Sequence, residues 1–274
     1  MSAALDTGGP GRPPRPLRGV VFDLHGVLLG HAAPGPGARA GEVVARLRER
    51  GVRLSFVTNS SSSSAADIVR MLKQASIEAR PEESISAGAA MGIYLREHHR
   101  GARLLLVGQP GLRRLIEEAS AGEVRWADGA TADVVVVGRD PELSSAKLSA
   151  VARAGERGAL LLATSDDRQF LVGGALRAGP GETVRQVEEA MGRVARVVGK
   201  PSPFILERGL GLTREELRAT LIVGDSPGID VRLGAAVEAA TALYCSHPGG
   251  DGAGPAPDWR IDRLDQILDL VGVV

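Results

Sequence analysis

The chain has 274 residues and a mass of 28.5 kDa, room for one large domain or two modest ones. With 43% hydrophobic and 24% charged residues it has the balance of a globular protein that buries a core, which excludes disorder throughout. Its 33 Lys and Arg offset 33 Asp and Glu, so no net charge draws it to polyanions or acidic membranes, and an aromatic content of 3% gives no stacking platform for single-stranded nucleic acid.

Residues 1–17 are rich in Gly, Pro and Arg, lack hydrophobic period, and read as a disordered leader without the apolar stretch of a signal peptide. No apolar run approaches the roughly 18 residues of a membrane helix. The one cysteine, Cys245, can form neither an intramolecular disulfide nor a cysteine-built metal site, so a cytoplasmic location is expected. From Gly19 onward short apolar runs alternate with segments of helical period. The runs are Val20 to Phe22, Leu54 to Val57, Leu104 to Val107, Val134 to Val137, Leu160 to Leu162, Val194 to Val198 and Leu221 to Val223, each reading as a buried parallel strand. Between them, Glu42 to Arg50, Ala65 to Ala75, Ala87 to His98, Leu112 to Ala119, Lys147 to Gly155 and Thr183 to Met191 repeat apolar residues every three or four positions. The pattern predicts an α/β protein with a mainly parallel sheet, either single or divided in two with separate cores.

In open α/β sheets the ligand crevice lies at the carboxyl ends of the strands. Four predicted strands run there into polar residues: Asp23-Leu24-His25-Gly26, Thr58-Asn59 followed by Ser60 to Ser64, Gly199-Lys200-Pro201, and Gly224-Asp225 with Asp230 shortly after. Brought together, these form a magnesium and phosphate site. Asp23 and Asp225 supply the one or two carboxylates that Mg²⁺ accepts beside water and substrate phosphate. Lys200 neutralises phosphate oxygens, while Thr58 and the N–H groups of the serine-rich turn add neutral donors. A carboxylate held against a phosphoryl group, such as Asp23, can attack it.

These motifs, Asp23-Leu24-His25-Gly26-Val27-Leu28, Val57-Thr58-Asn59, Val198-Gly199-Lys200-Pro201-Ser202-Pro203 and Gly224-Asp225 with Asp230, stand in the order and spacing of a known family. The chain resembles the haloacid dehalogenase superfamily hydrolases of type IIA, the branch of nitrophenyl-phosphatase-like, phosphoglycolate-phosphatase-like and NagD-like enzymes. The segments Val137 to Pro141 and Ala163 to Asp167, with the long interval before Lys200, resemble that branch's cap. The resemblance implies a Rossmann-like core of residues 18–91 and 195–274 carrying an inserted α/β cap of residues 92–194. It implies a Mg²⁺-dependent phosphatase of small phosphorylated metabolites, with Asp23 as nucleophile and metal ligand and Asp225 as the second carboxylate ligand. Thr58 would bind the phosphoryl oxygens and Asn59 the substrate side, Lys200 would orient both Asp23 and the phosphoryl group, and Asp230 would steady the site from behind. The turn Thr164 to Asp167 and the stretch Gly173 to Gly181 would face the crevice and choose the leaving group. Pairing of two copies through the cap is a family-level expectation.

One position departs from the family. Phosphatases of this type carry a second aspartate two residues after the nucleophile, whose backbone carbonyl binds the metal and whose carboxyl group moves protons. Here it is His25. The carbonyl ligand survives the exchange, and an imidazole with an unperturbed pKa of about 6.5 can itself serve as acid and base. Three readings stay open: a working phosphatase with His25 in that role, a weak or silent relative that binds phosphorylated ligands or a protein partner, and cleavage of a carbon–halogen or carbon–phosphorus bond. Lys200, Asp225 and Asp230 disfavour a metal-free dehalogenase.

Other polar clusters read as structural. Ser60 to Ser64 suit a helix cap and turn, His98 and His99 with Arg100 the end of an exposed helix, and Arg113 and Arg114 a solvated helix face. Cys245 reads as buried and inert, and His31 as loop or site rim.

Overall fold

The computed structural model describes residues 16–29, 36–172, 175–245 and 253–271. Residues 1–15 of the expected leader, His31, Gly173 and Gly174 lie outside them.

Three sheets form. The strands in chain order are β1 (Gly19–Asp23), β2 (Arg53–Thr58), β3 (Ser84–Ser86), β4 (Arg103–Val107), β5 (Arg125–Trp126), β6 (Val134–Val137), β7 (Leu160–Ala163), β8 (Gln169–Val172), β9 (Ala175–Ala178), β10 (Arg196–Val197), β11 (Thr220–Gly224), β12 (Ala240–Tyr244) and β13 (Trp259–Ile261). The longer helices are α1 (Pro36–Glu49), α2 (Ala65–Gln74), α3 (Ala87–His98), α4 (Pro110–Ser120), α5 (Ser145–Glu156) and α6 (Pro180–Met191). A six-stranded parallel sheet runs β13-β12-β11-β1-β2-β3, a five-stranded parallel sheet runs β10-β7-β6-β4-β5, and β8 and β9 form an antiparallel hairpin. The fold is therefore α/β and Rossmann-like, with two parallel sheets rather than one.

Strand alternation assigns the cores. Val20 and Phe22 point to one face of the first sheet, where they join Leu24, Leu54, Phe56 and helix α1. Val21 and Val57 point to the other face and share a cluster with Met91, Tyr94 and Leu95 of α3 and with Leu104, Val134 and Leu162 of the second sheet. Helix α3 is thus packed between the sheets. The far face of the second sheet, with Val135 and Val137, is closed by α5 and α6 through Val151, Val184 and Val187.

The position of β1 sets the site. It pairs with β11 on one side and β2 on the other, and chain direction across the sheet reverses between β1 and β11. That reversal opens a crevice at the carboxyl ends of the strands. Helix α2 begins close by, where Ser64 caps it in a reciprocal arrangement: the Ser64 hydroxyl accepts from the Asp67 N–H at 3.1 Å and the Asp67 carboxylate accepts from the Ser64 N–H at 2.9 Å.

Some expectations need correction. The run Val194 to Val198 does not form a buried strand: Arg196–Val197 alone pairs, at the edge of the second sheet beside β7, and Val194 is 87% exposed. Leu160, at the start of β7, is 47% exposed rather than buried. An edge strand two residues long covers little of its neighbour, which explains both. Cys245 is half-buried, its N–H donating to the Ile261 carbonyl at 2.8 Å just beyond β12. The strand expected to end at Cys245 is β12, whereas β3, β5, β13 and the hairpin were not expected. Ser84-Ile85-Ser86 shows why, since its serines break the apolar run yet pair with β2. Among the described residues no helix is long and apolar enough to cross a membrane.

Candidate active site

Three neighbouring strands deliver their ends to one point. Asp23 closes β1, Thr58 closes β2, and Asp225 follows β11. Lys200 arrives from the loop after β10, across a cis Lys200–Pro201 peptide. Its ammonium donates to Asp23 Oδ1 at 2.6 Å and to Asp230 Oδ1 at 2.7 Å, with Lys200 and Asp230 each only 3% exposed and Asp23 9%. Burial alone would depress the Lys200 pKa, but the two carboxylates overcome it and raise the pKa well above its ordinary value, so the lysine is charged. Asp230 sits in a π-helical turn, Pro227–Val231, and its second oxygen accepts from the Ser226 N–H at 3.2 Å. Such π-turns are rare overall but frequent at functional sites.

The loop after β1 folds back over Asp225. Gly26 has φ +88°, and a Cβ there would stand 1.9 Å from Asp225 Oδ2, so only glycine meets both the left-handed backbone and the close approach. The Gly26 N–H donates to the Leu29 carbonyl at 2.8 Å and the Leu29 N–H to the Leu24 carbonyl at 2.7 Å. These two bonds bridge His25 to Leu29. The imidazole is half-buried, and burial first, then the Lys200 charge, hold its pKa below the ordinary value.

Asn59 joins the two parallel sheets. Its Nδ2 donates to Ser165 Oγ at 3.1 Å, Asp167 Oδ2 at 2.9 Å and the Lys200 carbonyl at 3.0 Å, and its Oδ1 accepts from the Lys200 N–H at 2.8 Å. It therefore holds the lysine loop against the loop that follows β7. Thr58 is buried, its Oγ1 accepting from the Ser60 N–H at 3.2 Å. Among the described residues Thr164 Oγ1 and Asp167 Oδ1 are buried without a hydrogen-bond partner.

The charge balance points to a cation. One oxygen from each of Asp23, Asp225 and Asp230 lies within 4.8 Å of the others. Burial, joined by neighbouring carboxylates, raises the Asp23 pKa well above its ordinary value despite Lys200, and pushes Asp225 up to about 7. One ammonium is thus too little for three crowded carboxylates. An all-oxygen donor set with surplus negative charge suits a hard divalent ion such as Mg²⁺, so the residues fit the metal that the sequence suggests.

The structure brings together Asp23, His25, Thr58, Asn59, Lys200, Asp225 and Asp230. Reading the sequence did not reveal the approach of Gly26 to Asp225, the support that Ser226 gives Asp230, or the bond from Asn59 to Asp167. The last has no local signal, because its partners are 108 positions apart. Asp167 falls in the turn Thr164 to Asp167 that was expected to face the crevice.

A family profile for haloacid dehalogenase-like hydrolases matches residues 20–121, and a second, for HAD-hydrolase-like proteins, matches residues 197–266. The chain is 34% identical over 253 residues to glycerol-3-phosphate phosphatase of Homo sapiens, covering 82% of this chain and 77% of that protein. It is similar to the structure of p-nitrophenyl phosphatase from Archaeoglobus fulgidus at a TM-score of 0.79 and 25% identity, over 94% of this chain and all of that one. A glycerol phosphate phosphatase from Mycobacterium tuberculosis in complex with magnesium matches with a TM-score of 0.73 and 25% identity, over 87% of this chain and 70% of its own.

Proposed function

The chain belongs to the haloacid dehalogenase-like hydrolases, in the type IIA branch, and on that premise we propose that it is a phosphatase of small phosphorylated metabolites acting through an aspartyl-phosphate on Asp23. The observation that carries this reading is the buried Lys200 ammonium bridging Asp23 and Asp230 at the reversal point of the parallel sheet, with Asp225 beside them.

Asp23 and Asp225, with the His25 backbone carbonyl, would hold Mg²⁺, which when bound supplies positive charge against the phosphate oxygens. Asp23 attacks phosphorus, the bond to the leaving oxygen breaks, and that oxygen takes a proton from His25. A water molecule then gives its proton to His25 as it attacks the aspartyl-phosphate, releasing inorganic phosphate and restoring Asp23. Lys200 keeps the Asp23 carboxylate aimed and shares the phosphate charge, Thr58 donates to a phosphoryl oxygen, and Asp230 fixes Lys200. Asn59 orders the substrate side by holding the loop that contains Asp167. In this reading residues 18–91 and 195–274 form the core and residues 92–194 the cap, a division supported by the two separate parallel sheets.

His25 favours one alternative, a weak relative that binds phosphorylated ligands without efficient proton transfer. Phosphate release from nitrophenyl phosphate and a panel of phosphorylated metabolites, with Mg²⁺, separates the two when wild type, Asp23→Asn and His25→Asp are compared. Turnover by wild type that Asp23→Asn abolishes supports the phosphatase. A silent wild type that gains turnover in His25→Asp supports the alternative, and silence in both overturns the phosphatase reading.

A further inference from the structure

A cavity of about 530 Å³ lies apart from the carboxylate site, where both chain crossings between the sheets meet. None of Asp23, Thr58, Lys200 or Asp225 lines it. Tyr94, His98 and His99 come from the end of α3, just before the chain enters the second sheet, while Arg193 and Arg196 come from the segment that returns toward Lys200. Leu160 and Leu162 form an apolar wall.

Three features of this cavity agree. Its volume is that of a small-molecule site. Its lining contains arginines and histidines but no carboxylate, and among the described residues neither Arg193 nor Arg196 forms a salt bridge, although the Arg196 guanidinium lies 5.2 Å from the Tyr94 ring centre. Burial first, then the charges of His98 and Arg196, hold the His99 pKa low, in keeping with a lining that has no carboxylate. Finally, the large hydrophobic side chains left exposed among the described residues are Leu160 and Val194, and both line this cavity. Both lie beside the two arginines, so an anion with an apolar body would cover apolar and charged groups together.

We propose that this cavity is a second ligand site, for a small organic anion with a planar apolar body. The anionic group lies against Arg193 and Arg196, and the ring packs on the exposed Leu160 and Val194. The buried Tyr94 beneath them is fixed edge-on against Phe204 at 5.0 Å and tilted against His98 at 4.5 Å, so the floor under Arg196 is rigid.

The probe is 8-anilinonaphthalene-1-sulfonate, titrated by fluorescence into the full chain with Mg²⁺ and saturating inorganic phosphate, which occupies the carboxylate site. The expected result is saturable one-to-one binding that phosphate does not displace and that the double variant Arg193→Gln, Arg196→Gln weakens about tenfold or more. The uncharged analogue N-phenyl-1-naphthylamine should bind about tenfold more weakly than the sulfonate. Leu160→Asp gives an independent variant that places negative charge on the apolar wall and should also weaken the probe. Displacement by phosphate, equal binding to the variants, or equal binding of the neutral analogue would each overturn the proposal. Because the readout is binding, its failure is distinct from a failure of the phosphatase reading.

Discussion

The Asn59 amide donates to the Asp167 carboxylate at 2.9 Å, and this bond ties the end of β2 in one sheet to the loop after β7 in the other. The same amide group holds the backbone of Lys200 on both its N–H and its carbonyl. One side chain therefore sets the distance between the lysine that bonds Asp23 and the loop after β7.

Asn59→Ala should leave the Lys200 backbone groups and a buried carboxylate without their partner. Each unsatisfied buried group costs about 1–3 kcal/mol, so the variant should lose about 3 kcal/mol of stability and more catalytic efficiency than stability explains. Urea unfolding gives the first quantity, and turnover well below the urea transition gives the second. A variant with wild-type efficiency would remove Asn59 from the positioning of the site.

Gly26 and Gly51 make a matched pair. Both have positive φ, +88° and +72°, but a Cβ on Gly26 would strike Asp225 whereas one on Gly51 would meet nothing within 4 Å. Gly51→Ala should cost about 1 kcal/mol from backbone strain alone and leave activity intact. Gly26→Ala should carry the same strain and also move Asp225, raising the Mg²⁺ concentration needed for half-maximal turnover by about tenfold, or about 1.4 kcal/mol. Equal Mg²⁺ dependence in both variants would contradict the role given to Asp225.

The Asp67 cap makes a pH-dependent contribution. Hydrogen bonds from the Ser64 side chain and backbone, then from Arg70, lower its pKa from 3.8 to about 2. Because the folded value is the lower one, the contribution is complete above the unfolded pKa and disappears as pH falls from about 4 toward 2. Asp67→Ala should destabilise by about 1 kcal/mol at pH 7. Urea midpoints at pH 7, 4 and 3 should show the gap between wild type and variant narrowing toward acid.

The identity of the residue at position 25 should appear in substrate preference. General acid catalysis contributes about 10² to 10⁴ in rate, and aryl leaving groups need far less of it than alkyl ones. Nitrophenyl phosphate should therefore be hydrolysed disproportionately faster than glycerol or sugar phosphates, and His25→Asp should narrow the ratio by raising the alkyl rate. Equal wild-type rates for both classes would mean that the imidazole is a fully competent acid.

Much of this protein follows from local pattern. Val20-Val21-Phe22 and Leu221-Ile222-Val223 are continuous apolar runs because strands covered on both faces need no polar alternation, and their covering helices repeat at helical spacing. The candidate site residues at strand ends were legible for the same reason, since polar groups at that end of a parallel sheet are where a crevice opens. Other features depend on residues far apart in the chain. That two sheets form and not one, that Val194 lies bare beside an edge strand, that Gly26 must admit Asp225, and that Asn59 reaches Asp167 are all decided by packing between distant segments. Local propensity and period carry no information about such distances. The sequence thus determined the elements and the chemical groups at their ends, and only the tertiary structure decided which of those groups touch, because contact is a property of the packed interior rather than of any stretch of chain.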